Sequence, residues 1–182
     1  MNYLDGEHIK LRALEKSDLD LLYNWENDTS LWNTGTTLVP FSKHTLSKYL
    51  EIAHLDLFEA KQLRLMIDLK AKGHKTIGSI DLFDYDPFHE RAGVGILITD
   101  SSDRRKGYAS EALELLIQYT FNLLGLHILY CNVSADNEIS LKLFKKCGFQ
   151  VVGLKKEWSR HGNTWNDEYL LQLINRKSKN FI

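Results

Sequence analysis

Apolar and polar positions alternate over residues 9–14, where Lys10 and Arg12 separate Ile9, Leu11 and Ala13. A period of two predicts a strand with one buried face. Ser17, with Asp20 three residues on, predicts a cap opening a helix to about Glu26. Leu46, Tyr49, Leu50 and Ala53 then recur at helical spacing behind Ser42. Alternation returns over Leu63–Leu69, breaks at Lys72-Gly73-His74 and resumes over residues 76–83, which predicts a hairpin. Residues 84–91 are polar and predict a loop, and residues 92–99 predict another strand.

The next helix has the clearest pattern. Ala109, Ala112, Leu113, Leu116, Ile117, Thr120, Phe121 and Leu124 share one face, and Gly125 ends it. Residues 127–134 are rich in strand formers, and residues 137–146 form a short helical pattern that stops at Gly148. Strands over 149–158 and 165–174, joined at His161-Gly162-Asn163, close the chain. This order predicts a mixed α/β sheet ending in a hairpin, not a uniform βαβ repeat. Pro40 and Pro87 are the only prolines, and no linker or repeat interrupts the pattern, so one domain over 1–182 is expected.

Charge changes the picture little. The 23 basic and 24 acidic residues leave a formal net charge of −1, so no global field draws nucleic acid or an anionic membrane. Neither class of partner is expected. Met1 to Asp5 lack a basic start followed by an apolar core, and no apolar run approaches the roughly 20 residues of a membrane span. With two cysteines and no disulfide framework, a cytoplasmic location is the expectation. None of the seven histidines pairs with Cys or acids at ligand spacing, so no metal is expected.

Local charge matters more. The strand ending near Ile98 runs into Arg104-Arg105-Lys106-Gly107-Tyr108-Ala109 and then into the long helix. A basic, glycine-containing turn at a helix N-terminus offers unpaired N–H groups and a positive dipole end to an anion. One helix and one strand further on stands Asn137-x-x-Ser140-x-x-x-Phe144-x-x-x-Gly148-Phe149. Together with Arg104-x-x-Gly107-x-Ala109, this order resembles the GNAT superfamily of acyl-CoA-dependent N-acyltransferases, closest to its spermidine and ribosomal-protein acetyltransferase branch. The resemblance covers most of the chain. It implies a mixed, mostly antiparallel sheet of about seven strands, splayed at the cofactor cleft and flanked by about four helices.

It also implies roles. Acetyl-CoA is the expected co-substrate, its pyrophosphate held by Arg104, Arg105, Lys106, Gly107, Tyr108 and Ala109, its pantetheine arm by the backbone of Leu97 and Ile98 and by Asn137. Four departures stand out. Arg104 replaces a frequent Gln, and the turn is one residue longer than in the spermidine enzymes. Phe144 replaces a frequent Tyr that protonates the leaving sulfur; it cannot donate, and packs either on the arm or in the core. Gly93 replaces a frequent Glu. Ser140 matches the position that serves as general acid in some ribosomal-protein acetyltransferases, so the resemblance makes it the expected acid, its alternative being a serine that only faces the cofactor or the helix backbone. Glu90, Glu157 and Asp81 are the expected bases, each with an ordinary solvated role as its alternative.

The acceptor is expected between the N-terminal helices and the final hairpin. Trp25, Glu26, Trp32, Asp81 and Trp165 combine aromatic faces and carboxylates, which suits a cationic amine unless the rings are core anchors. The resemblance thus implies an acetyltransferase working by direct attack, and these residues favour a polyamine or diamine as its acceptor. Protein N-termini, aminoglycosides, or a weakly catalytic CoA-binding module are the alternatives, and a homodimer is expected by analogy.

Overall fold

The computed structural model describes residues 2–32, 39–52, 57–71, 73 and 75–176. Seven strands form one open sheet: β1 (Ile9–Ala13), β2 (Leu63–Leu69), β3 (Thr76–Asp86), β4 (Arg91–Ile98), β5 (Ile128–Ser134), β6 (Gln150–His161) and β7 (Thr164–Ile174). Their order is β1-β2-β3-β4-β5-β7-β6. Neighbours are antiparallel except β4 and β5, which run parallel. Among the described residues, six α-helices accompany the sheet: α1 (Leu19–Glu26), α2 (Thr29–Trp32), α3 (Lys43–Ile52), α4 (Leu57–Ala60), α5 (Tyr108–Asn122) and α6 (Glu138–Lys146). The four longer ones match the expected set; α2 and α4 are single turns too short to leave a periodic signature.

The strand positions carry the core. Ile80 and Leu82 of β3, Val94 of β4 and Leu129 of β5 are buried together with Ala112, Leu113 and Leu116 of α5. Because side chains alternate along a strand, Ser79, Asp81 and Phe83 take the other face. Leu22 of α1 and Leu46 and Leu50 of α3 form a second small cluster, with Trp25 and Tyr49 packed against it.

Two local expectations change. Ser17 does not cap α1: it lies inside a 3-10 turn, Lys16–Asp18, and the Asp18 carboxylate instead accepts from the Glu15 N–H at 2.8 Å. Arg12 grips that carboxylate at 2.7 and 2.9 Å and reaches Asp68 at 2.7 Å, tying β1 and β2 to the turn. Ser42 does cap its helix, accepting from the Thr45 N–H at 3.1 Å. The expected loop at 84–91 begins late, since β3 continues to Asp86 across a bulge. Tyr85 is buried there, edge-on to Phe58, so a polar stretch of sequence hid a core anchor. Of the Lys72-Gly73-His74 turn, Lys72 and His74 lie outside the described residues, as does Ala53.

Candidate active site

The sheet opens where β4 and β5 part. They pair only from Arg91 to Gly93 and from Ile128 to Tyr130, so the rest of β4 has β3 on one side alone. Register decides which groups face the opening. The Thr99 N–H donates to the Ile77 carbonyl opposite it, at 3.0 Å. In an antiparallel ladder bonded and non-bonded pairs alternate, so residues 97, 95 and 93 turn their backbone polar groups to β3. Val94, Ile96 and Ile98 turn theirs to the opening. The expectation that Leu97 offers its backbone there is corrected by one residue to Ile96; the Leu97 side chain instead lines the cavity described below.

Below the opening lies the basic turn. Asp100 accepts from the Ser102 N–H at 2.8 Å and closes a 3-10 turn, Ser101–Asp103. Asp103 is buried, held by Lys75 Nζ at 2.6 Å with Lys106 Nζ at 3.7 Å. Arg105 and Gly107 both adopt left-handed backbone, φ 62° and 88°. For Arg105 this conformation costs roughly 1–2 kcal/mol, whereas glycine adopts it freely. The result is a run of N–H groups, from Arg105 to Ala109, that meet no protein acceptor among the described residues. A concavity of free donors at a helix start is a fit site for a pyrophosphate.

Arg104 is placed differently from its expected role. Its Nε and Nη2 donate to the Ile98 and Thr99 carbonyls, both at 2.9 Å, so it braces the end of β4 while staying exposed. Arg105 and Lys106 remain exposed at the mouth. Lys146, which the sequence pattern did not single out, brings its ammonium to 3.5 Å from Ser110 Oγ at the start of α5. Asn137 caps α6, its Oδ1 accepting from the Ser140 N–H at 3.1 Å, and Ser140 is half-buried on that first turn. Phe144 is buried and meets Phe149 edge-on at 5.1 Å, which places its ring in the core.

A cavity of about 500 Å³ abuts β4 on the face opposite the main core. Trp25, Glu26, Trp32 and Asp81, four of the five expected acceptor residues, line it together. Trp165 does not. It stands exposed at the tip of the closing hairpin, where Asp167 and Glu168 are already paired with Lys156 and Lys155. Glu157 is exposed on a bulge of the same hairpin, its N–H held by Asp167. Glu90 sits in the turn before β4, where its carbonyl accepts from the His127 and Ile128 N–H groups. That is the paired end of β4, five residues or roughly 16 Å from Gly95 in the cavity wall.

Two features of the cavity escaped the sequence pattern. Arg64 of β2 bridges its carboxylates, Nε and Nη2 donating to Asp81 at 2.7 and 3.3 Å and Nη1 to Glu26 at 2.9 Å. Its guanidinium lies 5.8 Å from the Tyr49 ring centroid. Phe83 fills the space that a side chain at 93 would need, since a Cβ on Gly93 would lie 2.2 Å from its ring. The missing strand carboxylate and the aromatic wall are thus one feature. Among the described residues, no cluster of His, Cys, Asp or Glu could hold a metal ion, and no helix is long and apolar enough to cross a membrane.

Comparison with known proteins agrees with this architecture. Residues 8–150 match the model of the acetyltransferase (GNAT) domain. Spermidine N(1)-acetyltransferase of Escherichia coli K12 is 27% identical over 148 residues, 80% of this chain and 74% of that one. An uncharacterized N-acetyltransferase, p20, of Bacillus licheniformis is 28% identical over 178 residues, 97% of this chain and 98% of its own length. In fold, the chain superposes on Vibrio cholerae spermidine N-acetyltransferase, solved with CoA and spermine, at a TM-score of 0.81, covering 92% and 95% of the two chains at 24% identity.

Proposed function

The chain belongs to the GNAT acetyltransferase family, and from that premise we propose that it moves an acetyl group from acetyl-CoA to a primary amine seated in the cavity beside β4. The observation that carries this reading is the adjacency of the two sites. A run of free N–H groups at 105–109 and the open edge of β4 lie next to an aromatic cavity holding the Glu26 and Asp81 carboxylates. Arg105, Lys106 and the turn amides hold the pyrophosphate, with Gly107 and Ala109 allowing close approach. Backbone groups of Ile96 pair with the pantetheine arm, and Asn137 contributes from the start of α6.

An alkyl ammonium has a pKa near 10, so only about one molecule in a thousand is neutral at pH 7. Asp81 sits opposite Gly95 in the β3–β4 register, beside the strand that holds the arm. It orients the ammonium and accepts its proton through bound water. The amine nitrogen then attacks the thioester carbonyl carbon, the C–N bond forms, and collapse of the adduct breaks the C–S bond while the nitrogen releases its surplus proton, which makes good the one that Ser140 passes to sulfur. Ser140 gives a proton to the departing sulfur, whose conjugate acid is close to an ordinary thiol, so this help is modest.

The relatives named above make a polyamine the first acceptor to assay. A second reading, a single amino group on a small molecule or at a protein N-terminus, is favoured by the Arg64 bridge across both cavity carboxylates. Thiol release from acetyl-CoA against spermidine, monoamines and basic peptides tests the proposal. Amine-dependent release supports it. Tight acetyl-CoA binding with no release for any amine would leave only a CoA-binding module.

A further inference from the structure

Among the described residues, three formal charges line the acceptor cavity, and their arrangement sets what it can neutralise. Glu26 and Asp81 are each about one quarter exposed, at 23% and 27%, and Arg64 at 25%, so all three are largely removed from water. Asp81 meets the guanidinium through two of its nitrogens, and Glu26 takes the third. A guanidinium stays charged at any working pH and holds carboxylates in a fixed fork. The remaining lining residues are neutral: Trp25, Trp32, Tyr49 and Phe83 supply rings, and Gln62 and Ser79 supply uncharged polar groups. Among the described residues the lining therefore carries one net negative charge, not the two that its carboxylates alone would give.

One ammonium entering this space leaves it neutral. A second leaves a surplus positive charge among aromatic walls, and a charge without a partner in a largely desolvated site is strongly disfavoured. Aromatic faces favour the entering cation and the apolar stem that bears it.

We infer that Arg64 is a specificity-determining residue: by bridging Glu26 and Asp81 it restricts the cavity to amines with a single cationic centre on an apolar or aromatic stem, and disfavours polyamines. This inference rests on the reading that acetyl transfer takes place at this cavity. Selection works by an internal counter-charge rather than by size, since a cavity of about 500 Å³ is large enough for either kind of amine.

The test is the ratio of kcat/KM for 2-phenylethylamine to that for spermidine, both with acetyl-CoA, in the native chain, Arg64→Gln and Arg64→Lys. The native chain is expected to favour 2-phenylethylamine by at least about tenfold. Arg64→Gln is expected to move the ratio at least about tenfold toward spermidine, and Arg64→Lys, which keeps the charge, to move it much less. A native preference for spermidine, or a ratio that Arg64→Gln leaves unchanged, overturns the inference. Acetyl-CoA affinity reports whether each variant keeps its fold. Should Arg64→Gln fail to fold, Glu26→Gln serves instead: it removes the net negative charge and is expected to raise KM for 2-phenylethylamine at least about tenfold, an unchanged KM overturning the inference. Absence of turnover with every amine would sink the acetyl-transfer reading itself, whereas turnover with spermidine favoured sinks only the role of Arg64.

Discussion

The proposed donor cradle and the proposed acceptor cavity share the edge of β4 but are built by opposite means. The cradle is backbone: five consecutive N–H groups on a turn whose shape is set by left-handed Arg105 and Gly107. The cavity is side chain, assembled from α1, α2, α3, β2, β3 and β4. A backbone site tolerates most side-chain changes short of charge reversal and holds one ligand chemistry. A side-chain site changes its ligand with single substitutions. That is why the proposed donor rests on one short stretch of backbone, whereas the proposed acceptor turns on individual residues such as Arg64.

If this contrast is right, the largest effect comes from backbone conformation in the cradle. A Cβ at Gly107 meets nothing within 4 Å, so Gly107→Val acts only through its φ of 88°. We expect acetyl-CoA affinity, read by calorimetry, to fall at least about a hundredfold, since a β-branched residue cannot hold that conformation. Full retention of affinity would break the backbone account. Next comes the cavity wall. Gly93→Glu, which would place a carboxylate where the spermidine branch often has one, collides with Phe83 and should cost about 1–3 kcal/mol in chemical denaturation. Adding Phe83→Ala should recover part of the loss, and a stable single variant would show that the ring is not what excludes a side chain at 93.

Smaller effects sharpen the boundary between the sites. Ser140→Ala should lower kcat by about tenfold with little change in acetyl-CoA affinity, as expected for a proton donor to a good leaving group. Unchanged kcat would remove Ser140 from the chemistry. The smallest effect is a pH dependence at Tyr130, where β4 and β5 part. Burial, and then the hydrogen bond to Asp84 at 3.1 Å, push its hydroxyl up to about 12. The folded state thus keeps a proton that the unfolded chain loses near pH 10. Its contribution to stability is complete below that point and is lost as pH rises through about 12. Tyr130→Phe should flatten that slope in alkaline unfolding curves.

The same contrast explains what could be read from sequence. The cradle spans a few contiguous residues, and the glycine at 107, the basic residues and the helix start are all visible in one line of text. Its errors are of register and direction. Leu97 and Ile96 differ only by which side of the ladder they serve, and Arg104 is held along the strand end by the Ile98 and Thr99 carbonyls. The cavity is legible only in part. Trp25, Glu26, Trp32 and Asp81 carry suggestive chemistry by residue type, but Arg64 lies 38 residues from Glu26 and 17 from Asp81, beyond any local pattern. Trp165 has the right chemistry and the wrong place, because hairpin register puts it at an exposed tip. Phe83 gives the absence of a side chain at Gly93 a cause that no single position reveals.

The central claim is that the turn from Arg105 to Ala109 grips the pyrophosphate of acetyl-CoA. Comparing equilibrium affinities for acetyl-CoA and for S-acetylpantetheine, which lacks the pyrophosphate, tests it most directly. Acetyl-CoA should bind at least about a hundredfold more tightly, and Arg105→Glu with Lys106→Glu should erase most of that advantage. Equal affinity of the native chain for the two thioesters would contradict the account.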